Sequence, residues 1–327
     1  MKAIVFKDNK MSVVEKPVPE TGEGELLIKL SLAGICNTDI ELFSGYYGFT
    51  GVAGHEFAGV VEKSPPMPEL EGERVVADIN CGCGTCSWCL KGNQRHCPSR
   101  KVIGIAGRDG AFAEYIKVPV QNVRPVDEAI STAEAVFVEP LAAALEIGQQ
   151  IHITGDLRMM ILGDGKLGLL IAIALRHYNP NLLLVGKHAE NLAIARKQGV
   201  NTLHIHSPAE LTESLPAKLG LFDLVVEATG KADGINHALN FTRPEGTIVV
   251  KTTSHHPAQI DLARIVVDEI NIVGSRCGDF DLALFFLKNG LVDVKPLIEA
   301  VYPFSEFAKA FHHARRPGAG KILISFD

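Results

Sequence analysis

The chain has 327 residues, of which 46% are hydrophobic and 21% are charged, the balance of an ordinary globular protein. This length exceeds what one compact core usually holds, so we expect two domains. The net charge of -6 argues against nucleic acid or an anionic membrane as the main partner. The apolar stretches all fall short of the roughly 18 uninterrupted residues that a membrane-spanning helix requires.

The first part of the chain begins with a strand-like run, residues 1–6, and then carries metal-ligand residue types on separated segments. Cys36 lies in a Gly-Ile-Cys-Asn-Thr-Asp run, His55 in Gly-His-Glu, and Glu139 in Glu-Pro-Leu. Cysteine, histidine and glutamate are the ligand types of an open zinc site, whose fourth position holds water or substrate. Each residue also has a plain interpretation: a small buried thiol, a core histidine, and a carboxylate stabilised at a helix N-terminus.

Five of the seven cysteines are concentrated in residues 81–97. Cys83, Cys86, Cys89 and Cys97 follow the pattern C-x2-C-x2-C-x7-C, while Cys81 lies outside it. A tetrahedral all-sulfur site of this kind is typical of Zn2+ and has no open position, so it predicts a structural zinc. Disulfides are the alternative, but adjacent C-x2-C pairs close poor loops. Thiols used for metal rather than for bridges favour a reducing compartment, and we expect a cytoplasmic protein.

From about residue 157 the pattern changes, because short apolar runs typical of buried strands alternate with helical periodicity. This alternation predicts a parallel sheet covered by helices on both faces. The predicted strands are residues 159–162, 181–185, 221–226, 247–250 and 270–273, and the predicted helices are residues 167–177, 190–199 and 235–241.

The first of these strands runs directly into a G-x-G-x-x-G motif, residues 163–168, which opens a helix. Gly163 permits the tight turn, Gly165 lets the backbone approach a pyrophosphate, and Gly168 allows close helix packing. Lys166 and Leu167 begin the helix whose N-terminus provides the anion site. The motif alone is weak, but after a strand, before a helix and among several strand-helix units it predicts dinucleotide binding.

The end of the second strand bears on the choice of dinucleotide, because an acidic residue there accepts the adenosine ribose hydroxyls of NAD. That position reads Val-Gly-Lys-His, residues 185–188, and contains no Asp or Glu. A cation beside a small glycine suits a 2′-phosphate, so Lys187 and His188 favour NADP over NAD. The alternative is that Lys187 is a solvated loop residue and Glu190 serves the ribose.

These motifs, in this order, resemble those of the zinc-dependent medium-chain alcohol dehydrogenases over nearly the whole chain. The resemblance implies an α/β protein with a GroES-like, mainly β catalytic domain at residues 1–140 and 290–327, which includes a zinc lobe at 81–97. It implies a Rossmann domain, a doubly wound parallel sheet, at residues 141–289, with the active site in the cleft between the domains. The strand-like run 321–326 agrees with a return of the chain to the first domain. Members of the family are usually homodimers or homotetramers.

The Glu-Pro-Leu segment resembles the sorbitol, threonine and glucose dehydrogenase branch, whereas simple alcohol dehydrogenases often have a cysteine at the position of Glu139. Both Glu56 and Glu139 approach the metal in such enzymes, so which of them binds zinc at rest stays open. The resemblance therefore implies two zinc ions per chain, a catalytic one held by Cys36, His55 and one or both of these carboxylates, and a structural one in the lobe.

The reaction implied by the resemblance is an oxidation in which zinc lowers the pKa of a bound alcohol, so that an alkoxide forms and hydride passes to the nicotinamide. Thr38 matches the hydroxyl that hydrogen-bonds the substrate oxygen, and Asp39 matches the partner of the ligating imidazole. The family usually ends its proton relay on a histidine where this chain has Glu41, which is either the base or a surface residue. Further cofactor contacts are expected at Thr229, Thr252, Ser275 and Arg276.

The expected substrate is a small secondary alcohol or polyol, or the matching ketone or aldehyde, because no cluster of charges indicates an acid or a phosphate. Tyr46, Tyr47 and Phe49 fall where the family lines its pocket, and their rings suit a polyol or a short apolar alcohol alike. Two alternatives remain. One is a zinc-free enone or quinone reductase, a class that lacks the Cys36, His55 and four-cysteine features, and the other is a non-enzymatic NADP-binding redox sensor.

Overall fold

The computed structural model describes residues 1–8, 10–43, 45, 48–254 and 256–326 and divides the chain into two compact units. The first unit comprises Met1–Glu139, Phe280–Gly290 and Ile298–Asp327, and the second comprises Pro140–Asp279 and Leu291–Leu297. Residues 280–289, which the sequence assigns to the Rossmann domain, therefore lie in the first unit. Tyr46 and Tyr47, predicted to line the substrate pocket, lie outside the described residues.

The secondary structure elements follow in chain order. Up to residue 139 the strands are β1 (Lys2–Lys7), β2 (Lys10–Glu15), β3 (Glu25–Gly34), β4 (Gly51–Val52), β5 (Glu56–Lys63), β6 (Arg74–Ala77), β7 (Asn80–Cys81), β8 (Lys101–Ile103), β9 (Gly107–Arg108), β10 (Tyr115–Pro119) and β11 (Val123–Pro125). The later strands are β12 (Met159–Leu162), β13 (Leu183–Gly186), β14 (Asn201–His204), β15 (Phe222–Glu227), β16 (Thr242–Val250), β17 (Asn271–Gly274), β18 (Ile298–Pro303) and β19 (Lys321–Ser325). The helices are α1 (Asn37–Phe43), α2 (Ser87–Leu90), α3 (Thr132–Ala135), α4 (Val138–Gln150), α5 (Lys166–Leu175), α6 (Ala189–Lys197), α7 (Glu210–Glu213), α8 (Leu215–Leu219), α9 (Gly234–Phe241), α10 (Leu262–Val267), α11 (Phe280–Lys288) and α12 (Phe307–Ala314).

The largest sheet of the first unit has seven strands, in the order β11-β6-β5-β3-β19-β18 with β10 also paired to β3. β3 occupies the middle because Leu26, Ile28 and Leu30 bury its apolar face, and it pairs antiparallel with β5, β10 and β19. The C-terminal strand β19 thus joins the first unit, as its apolar run predicts. Two smaller sheets, β2-β1-β4 and β7-β8-β9, complete a mainly β unit.

The second unit contains a parallel sheet of six strands in the order β14-β13-β12-β15-β16-β17. This is the doubly wound order 3-2-1-4-5-6, in which ligands bind beyond the carboxyl ends of the strands. The five predicted strands are all present. β14 was not predicted, because Leu203 is the one apolar residue of its four and the strand therefore has no apolar run.

β12 and α5 lie in the buried core of the second unit. β12 is buried along its whole length, and α5, which follows the glycine-rich turn, is buried from Gly168 to its end at Leu175. Burial on all sides is typical of strands and helices inside a doubly wound sheet. Across the described ranges of the chain, no helix is both long and apolar enough to span a membrane.

Candidate functional site

The four cysteines of the predicted structural site come together in the segment that joins β7 to β8. The sulfur atoms of Cys83, Cys86, Cys89 and Cys97 all lie within 4.8 Å of one another. The backbone N–H of Cys83 also donates to Sγ of Cys97 at 3.4 Å, which closes the segment on itself. Four converging sulfur ligands fit a tetrahedral structural zinc ion. Cys81, as its spacing predicts, is buried and outside the group.

The ionisation of these thiols also fits a cation. Hydrogen bonds from the hydroxyl and backbone of Thr85 lower the pKa of Cys83 to about 6. Desolvation, together with the neighbouring sulfurs, raises the pKa of Cys89 to about 11. Thiols crowded in this way resist losing all their protons unless a cation balances the charge, and thiolates are the form that binds zinc.

A second group of ligand atoms is formed by Cys36, His55 and Glu56, which also lie within 4.8 Å of one another. Cys36 follows β3 and His55 precedes β5, so the antiparallel pairing of these two strands brings the segments together. His55 and Glu56 are only 4% and 1% exposed, and Cys36 is half-buried. Three such ligands fit a zinc ion that keeps its fourth position for water or substrate.

Asp39 connects the segment that carries Cys36 to the segment that carries His55. Its Oδ2 accepts a hydrogen bond from the backbone N–H of Cys36 at 2.8 Å, and its Oδ1 accepts one from Gly54 at 3.2 Å. Nδ1 of His55 lies 3.3 Å from Oδ1 of Asp39. Burial lowers the pKa of His55, but the Asp39 carboxylate and the Cys36 thiol outweigh this effect and hold it well above its usual value. A carboxylate in this place is the usual means of orienting a ligating imidazole.

Lys321 is a residue of this site that the sequence analysis missed. Its ammonium group, which is buried at the start of β19, donates to Oε2 of Glu56 and lies 5.9 Å from the ring centre of Phe137. Burial lowers the pKa of Lys321, but the Glu56 carboxylate overcomes this and raises it. The only sequence signal is a lysine at the edge of an otherwise apolar run, which does not identify a partner 265 residues away.

Glu139 is not part of the group formed by Cys36, His55 and Glu56. Burial raises the pKa of its carboxyl to about 7, with a further increase from Glu56 that His55 and Lys321 oppose. Glu139 is therefore near enough for the charged residues around the group to shift its pKa, but its carboxylate is not one of the grouped ligand atoms. The two carboxylates predicted near the metal thus differ, because Glu56 belongs to the ligand group and Glu139 does not.

The two predicted relay residues lie on α1, the short helix that follows Cys36. Oγ1 of Thr38 is 3.7 Å from Sγ of Cys36. Glu41 is three residues further along the helix and half-buried, and this spacing puts both side chains on one helix face.

In the second unit, the glycine-rich turn lies between β12 and α5. Gly163 has a φ of +109°, and a Cβ on Gly168 would stand 1.9 Å from the carbonyl oxygen of Gly163. Only glycine fits such a turn. Gly165 caps α5, so the first backbone N–H groups of a ten-residue helix stand at the carboxyl end of β12.

Four further predicted cofactor residues are held by two buried side chains, those of Glu227 and Lys251, for which the sequence predicts no role. Oε1 of Glu227 accepts hydrogen bonds from Oγ1 of Thr229 at 2.6 Å and of Thr252 at 2.9 Å. Nζ of Lys251 donates to Oγ of Ser275 at 3.2 Å and to the carbonyl oxygen of Arg276 at 3.1 Å. The predicted residues therefore gather in two pairs beyond the carboxyl ends of β15, β16 and β17.

At the end of β13, Lys187 is exposed and His188 is half-buried. The backbone N–H of His188 donates to Oδ2 of Asp164 at 2.6 Å, and its Nδ1 lies 2.9 Å from Oδ1 of the same carboxylate. Asp164 belongs to the glycine-rich turn, and no role for it is predicted from the sequence.

Comparisons with known proteins agree with both units. Residues 22–128 match the alcohol dehydrogenase GroES-like domain, and residues 167–287 match the zinc-binding dehydrogenase domain. The chain is 30% identical to the starvation-sensing protein RspB of Escherichia coli K12, over 100% of both proteins.

The chain belongs to the zinc-dependent medium-chain alcohol dehydrogenase family. It is also 30% identical to an L-threonine 3-dehydrogenase of Bacillus velezensis, over 99% of this chain and 98% of that protein. Among solved structures, RspB of E. coli CFT073 in complex with NADH superposes with a TM-score of 0.92 at 28% identity, covering 100% of this chain and 99% of RspB. The structure of a zinc-binding dehydrogenase from Sinorhizobium meliloti 1021 bound to NADP has a TM-score of 0.88 at 26% identity. The match covers 99% of this chain and 98% of that chain.

The predicted family and the predicted pair of folds, GroES-like and Rossmann, are thus confirmed. As a medium-chain alcohol dehydrogenase, the protein is a zinc-type oxidoreductase that uses a nicotinamide cofactor and acts on a small molecule. Its candidate metal ligands lie in the first unit, and its candidate nucleotide-binding residues lie in the second.

Proposed function

We propose that this protein is an NADP-linked zinc dehydrogenase that transfers hydride between a secondary alcohol or polyol, or the matching ketone or aldehyde, and the nicotinamide. The observation that carries the proposal is the group of Cys36, His55 and Glu56, whose ligand atoms lie within 4.8 Å of one another. The relative named L-threonine 3-dehydrogenase supports a secondary alcohol as the substrate class.

Two zinc ions per chain are part of the proposal. Cys83, Cys86, Cys89 and Cys97 would hold the structural ion. Cys36, His55 and Glu56 would hold the catalytic ion, and Glu56 is preferred to Glu139 because only Glu56 belongs to the ligand group. A zinc ion with an open position supplies Lewis-acid chemistry that lowers the pKa of an alcohol.

The residues around this group each have a task in the proposed reaction. Asp39 orients the imidazole of His55, and Lys321 restrains the Glu56 carboxylate and balances its charge. The Thr38 hydroxyl, 3.7 Å from Sγ of Cys36, accepts the proton of the alcohol and passes it towards Glu41 as the base.

NADP is the proposed cofactor because the end of β13 presents Lys187 and His188 in place of an acidic residue. The glycine-rich turn would receive the pyrophosphate at the N-terminus of α5. Thr229, Thr252, Ser275 and Arg276 lie beyond the neighbouring strands, where further contacts with the dinucleotide are expected.

The test combines metal analysis with an alcohol and polyol panel assayed with NADP+ and with NAD+. The wild-type protein is expected to hold two zinc ions and to reduce NADP+ in preference to NAD+. Cys36→Ser is expected to lose one zinc ion and all turnover, and Cys83→Ser the other ion together with stability. Cys81→Ala is the matched control, because this thiol lies in the same lobe outside the ligand group, and it should keep both ions.

Other results would favour the alternatives. One zinc ion with dinucleotide binding but no turnover across the panel would favour a redox sensor, and enone reduction that survives Cys36→Ser would favour a zinc-free type of reductase.

A homodimer or homotetramer is also proposed. Leu262, Val266 and Val267 on α10 are 69%, 73% and 79% exposed, and α10 leads into β17, the last strand of the parallel sheet. An apolar surface beside an open strand edge is typical of an interface between subunits. Light scattering of Val266→Asp, with Val18→Asp as the control, tests this: only the first should lower the molar mass.

A cytoplasmic location is also proposed, and the redox state of the cysteines is its sole support. No disulfide joins the seven cysteines, all of which lie in the described part of the chain, and a four-thiol zinc site is stable where the surroundings are reducing. Fractionation of the host cell would test it.

A further inference from the structure

The carboxylate of Asp164 occupies the end of β13, although Asp164 belongs to a different segment, the glycine-rich turn after β12. Asp164 is 3% exposed. A buried carboxylate is costly unless it is hydrogen-bonded, and Asp164 has two partners on one residue, the backbone N–H and Nδ1 of His188, at 2.6 Å and 2.9 Å. The contacts between Asp164 and His188 therefore hold the glycine-rich turn against the end of β13.

This arrangement dictates the residue at the end of β13. A Cβ on Gly186 would stand 2.2 Å from Cγ and 2.4 Å from Oδ2 of Asp164. Real side chains do not approach so closely, so an aspartate or glutamate of the NAD type has no space at position 186. The acidic group that stands there instead is Asp164, whose oxygens already accept from His188.

The same contacts set the chemistry of His188. An ionised carboxylate only accepts hydrogen bonds, so Nδ1 of His188 carries a proton and Nε2 is left for another partner. The exposed ammonium group of Lys187 precedes it. The backbone between them is restrained, because Nε2 of His204, at the end of β14, lies 3.1 Å from the carbonyl oxygen of Lys187.

We propose that Asp164 is a positioning residue for the 2′-phosphate of NADP: it holds His188 so that His188 and Lys187 together bind the phosphate. This inference rests on the proposed NADP-linked function and deepens it. An imidazole that contacts a carboxylate through one ring nitrogen and a phosphate through the other makes both hydrogen bonds to charged groups, and such bonds are stronger than neutral ones.

The experiment measures binding of 2′,5′-ADP and of 5′-AMP to the zinc-loaded protein by calorimetry at pH 7, since the two ligands differ only in the 2′-phosphate. The variants are Lys187→Gln, His188→Gln, Asp164→Asn and the double variant Asp164→Asn/His188→Gln. Lys197→Gln is the matched control, because Lys197 is an exposed lysine at the other end of α6.

The wild-type protein is expected to prefer 2′,5′-ADP by about tenfold or more, and each single variant to lose most of that preference while its affinity for 5′-AMP changes by less than about twofold. The double variant should lose no more of the preference for 2′,5′-ADP than His188→Gln does, because Asp164 acts through His188. Lys197→Gln should keep the wild-type preference.

Equal binding of the two ligands by the wild type, or an unchanged preference in Asp164→Asn, would overturn the inference. So would a loss of affinity for both ligands alike, since that is the signature of a structural role only. The binding experiment does not depend on turnover: a protein that discriminates the two ligands but oxidises no alcohol would keep this inference and remove the proposed reaction.

Discussion

Lys321 and Glu56 form a buried ion pair that joins the C-terminal strand of the first unit to the segment carrying two candidate zinc ligands. Both side chains are almost fully shielded from solvent, with 4% and 1% exposed. Two charges removed from water are tolerated only when they are well paired, so each residue depends on the other. The consequence is that β19, far from Cys36 and His55 in the sequence, contributes directly to the same site.

Lys321→Met should therefore destabilise the protein strongly, by about 3–5 kcal/mol, because it leaves the Glu56 carboxylate buried without its partner. The measurement is the free energy of unfolding in urea. Lys309→Met is the control: Lys309 pairs with Glu306 at the surface with its side chain 70% exposed, and its loss should have a much smaller effect on stability. Equal effects of the two substitutions would contradict the role of the buried pair.

Asp39→Asn should weaken zinc binding at the Cys36 group by about 10–100-fold, because the carboxylate that orients His55 is lost. Competition with a chelator measures this, with the ion of the four-cysteine site as an internal reference. Asp127→Asn removes a carboxylate that pairs with Lys288 at 2.7 Å in the same unit and should leave zinc affinity unchanged. A wild-type affinity in Asp39→Asn would refute the orienting role.

Glu41→Gln should lower turnover by about tenfold or more if Glu41 is the base that ends the proton relay. The loss should be greatest at low pH, where the proton of the alcohol leaves least readily and an acceptor matters most. The measurement is the pH dependence of kcat, with Glu62→Gln, an exposed residue of β5, as the control. A pH-rate profile identical to that of the wild type would remove Glu41 from the mechanism.

Asp223→Asn should reduce stability at neutral pH and have a vanishing effect in acid. Burial raises the pKa of Asp223, but hydrogen bonds from the side chain of Arg243 and the backbone of Arg158 outweigh this and lower it. A lowered folded-state pKa contributes stability above the unfolded value of about 3.9, and that contribution disappears as the pH falls through the folded value.

The difference in free energy of unfolding between wild type and Asp223→Asn should thus be constant from pH 7 to about pH 5 and shrink below about pH 4. Urea unfolding at several pH values measures it, with the more exposed Asp233→Asn as the control. A difference that stays constant down to pH 3 would mean that the Arg243 contact contributes nothing through charge.

Local patterns in the sequence were sufficient for much of the architecture. The apolar runs located all five predicted strands of the parallel sheet, and Gly163, Gly165 and Gly168 located the tight turn between β12 and α5, because both signals are contained within a few neighbouring residues. β14 escaped prediction because three of its four residues are polar, whereas β17, the other edge strand, carries an apolar run.

The sequence by itself therefore determined the family, the two folds and the residue types at both candidate zinc sites, since spacing and order of motifs are properties of the linear chain. The tertiary structure alone decided which polar and charged groups meet. Lys321 with Glu56, Lys251 with Ser275 and Asp164 with His188 are partners whose attraction depends on distance in space, and the strand pairing that creates that distance joins segments 24 to 265 residues apart.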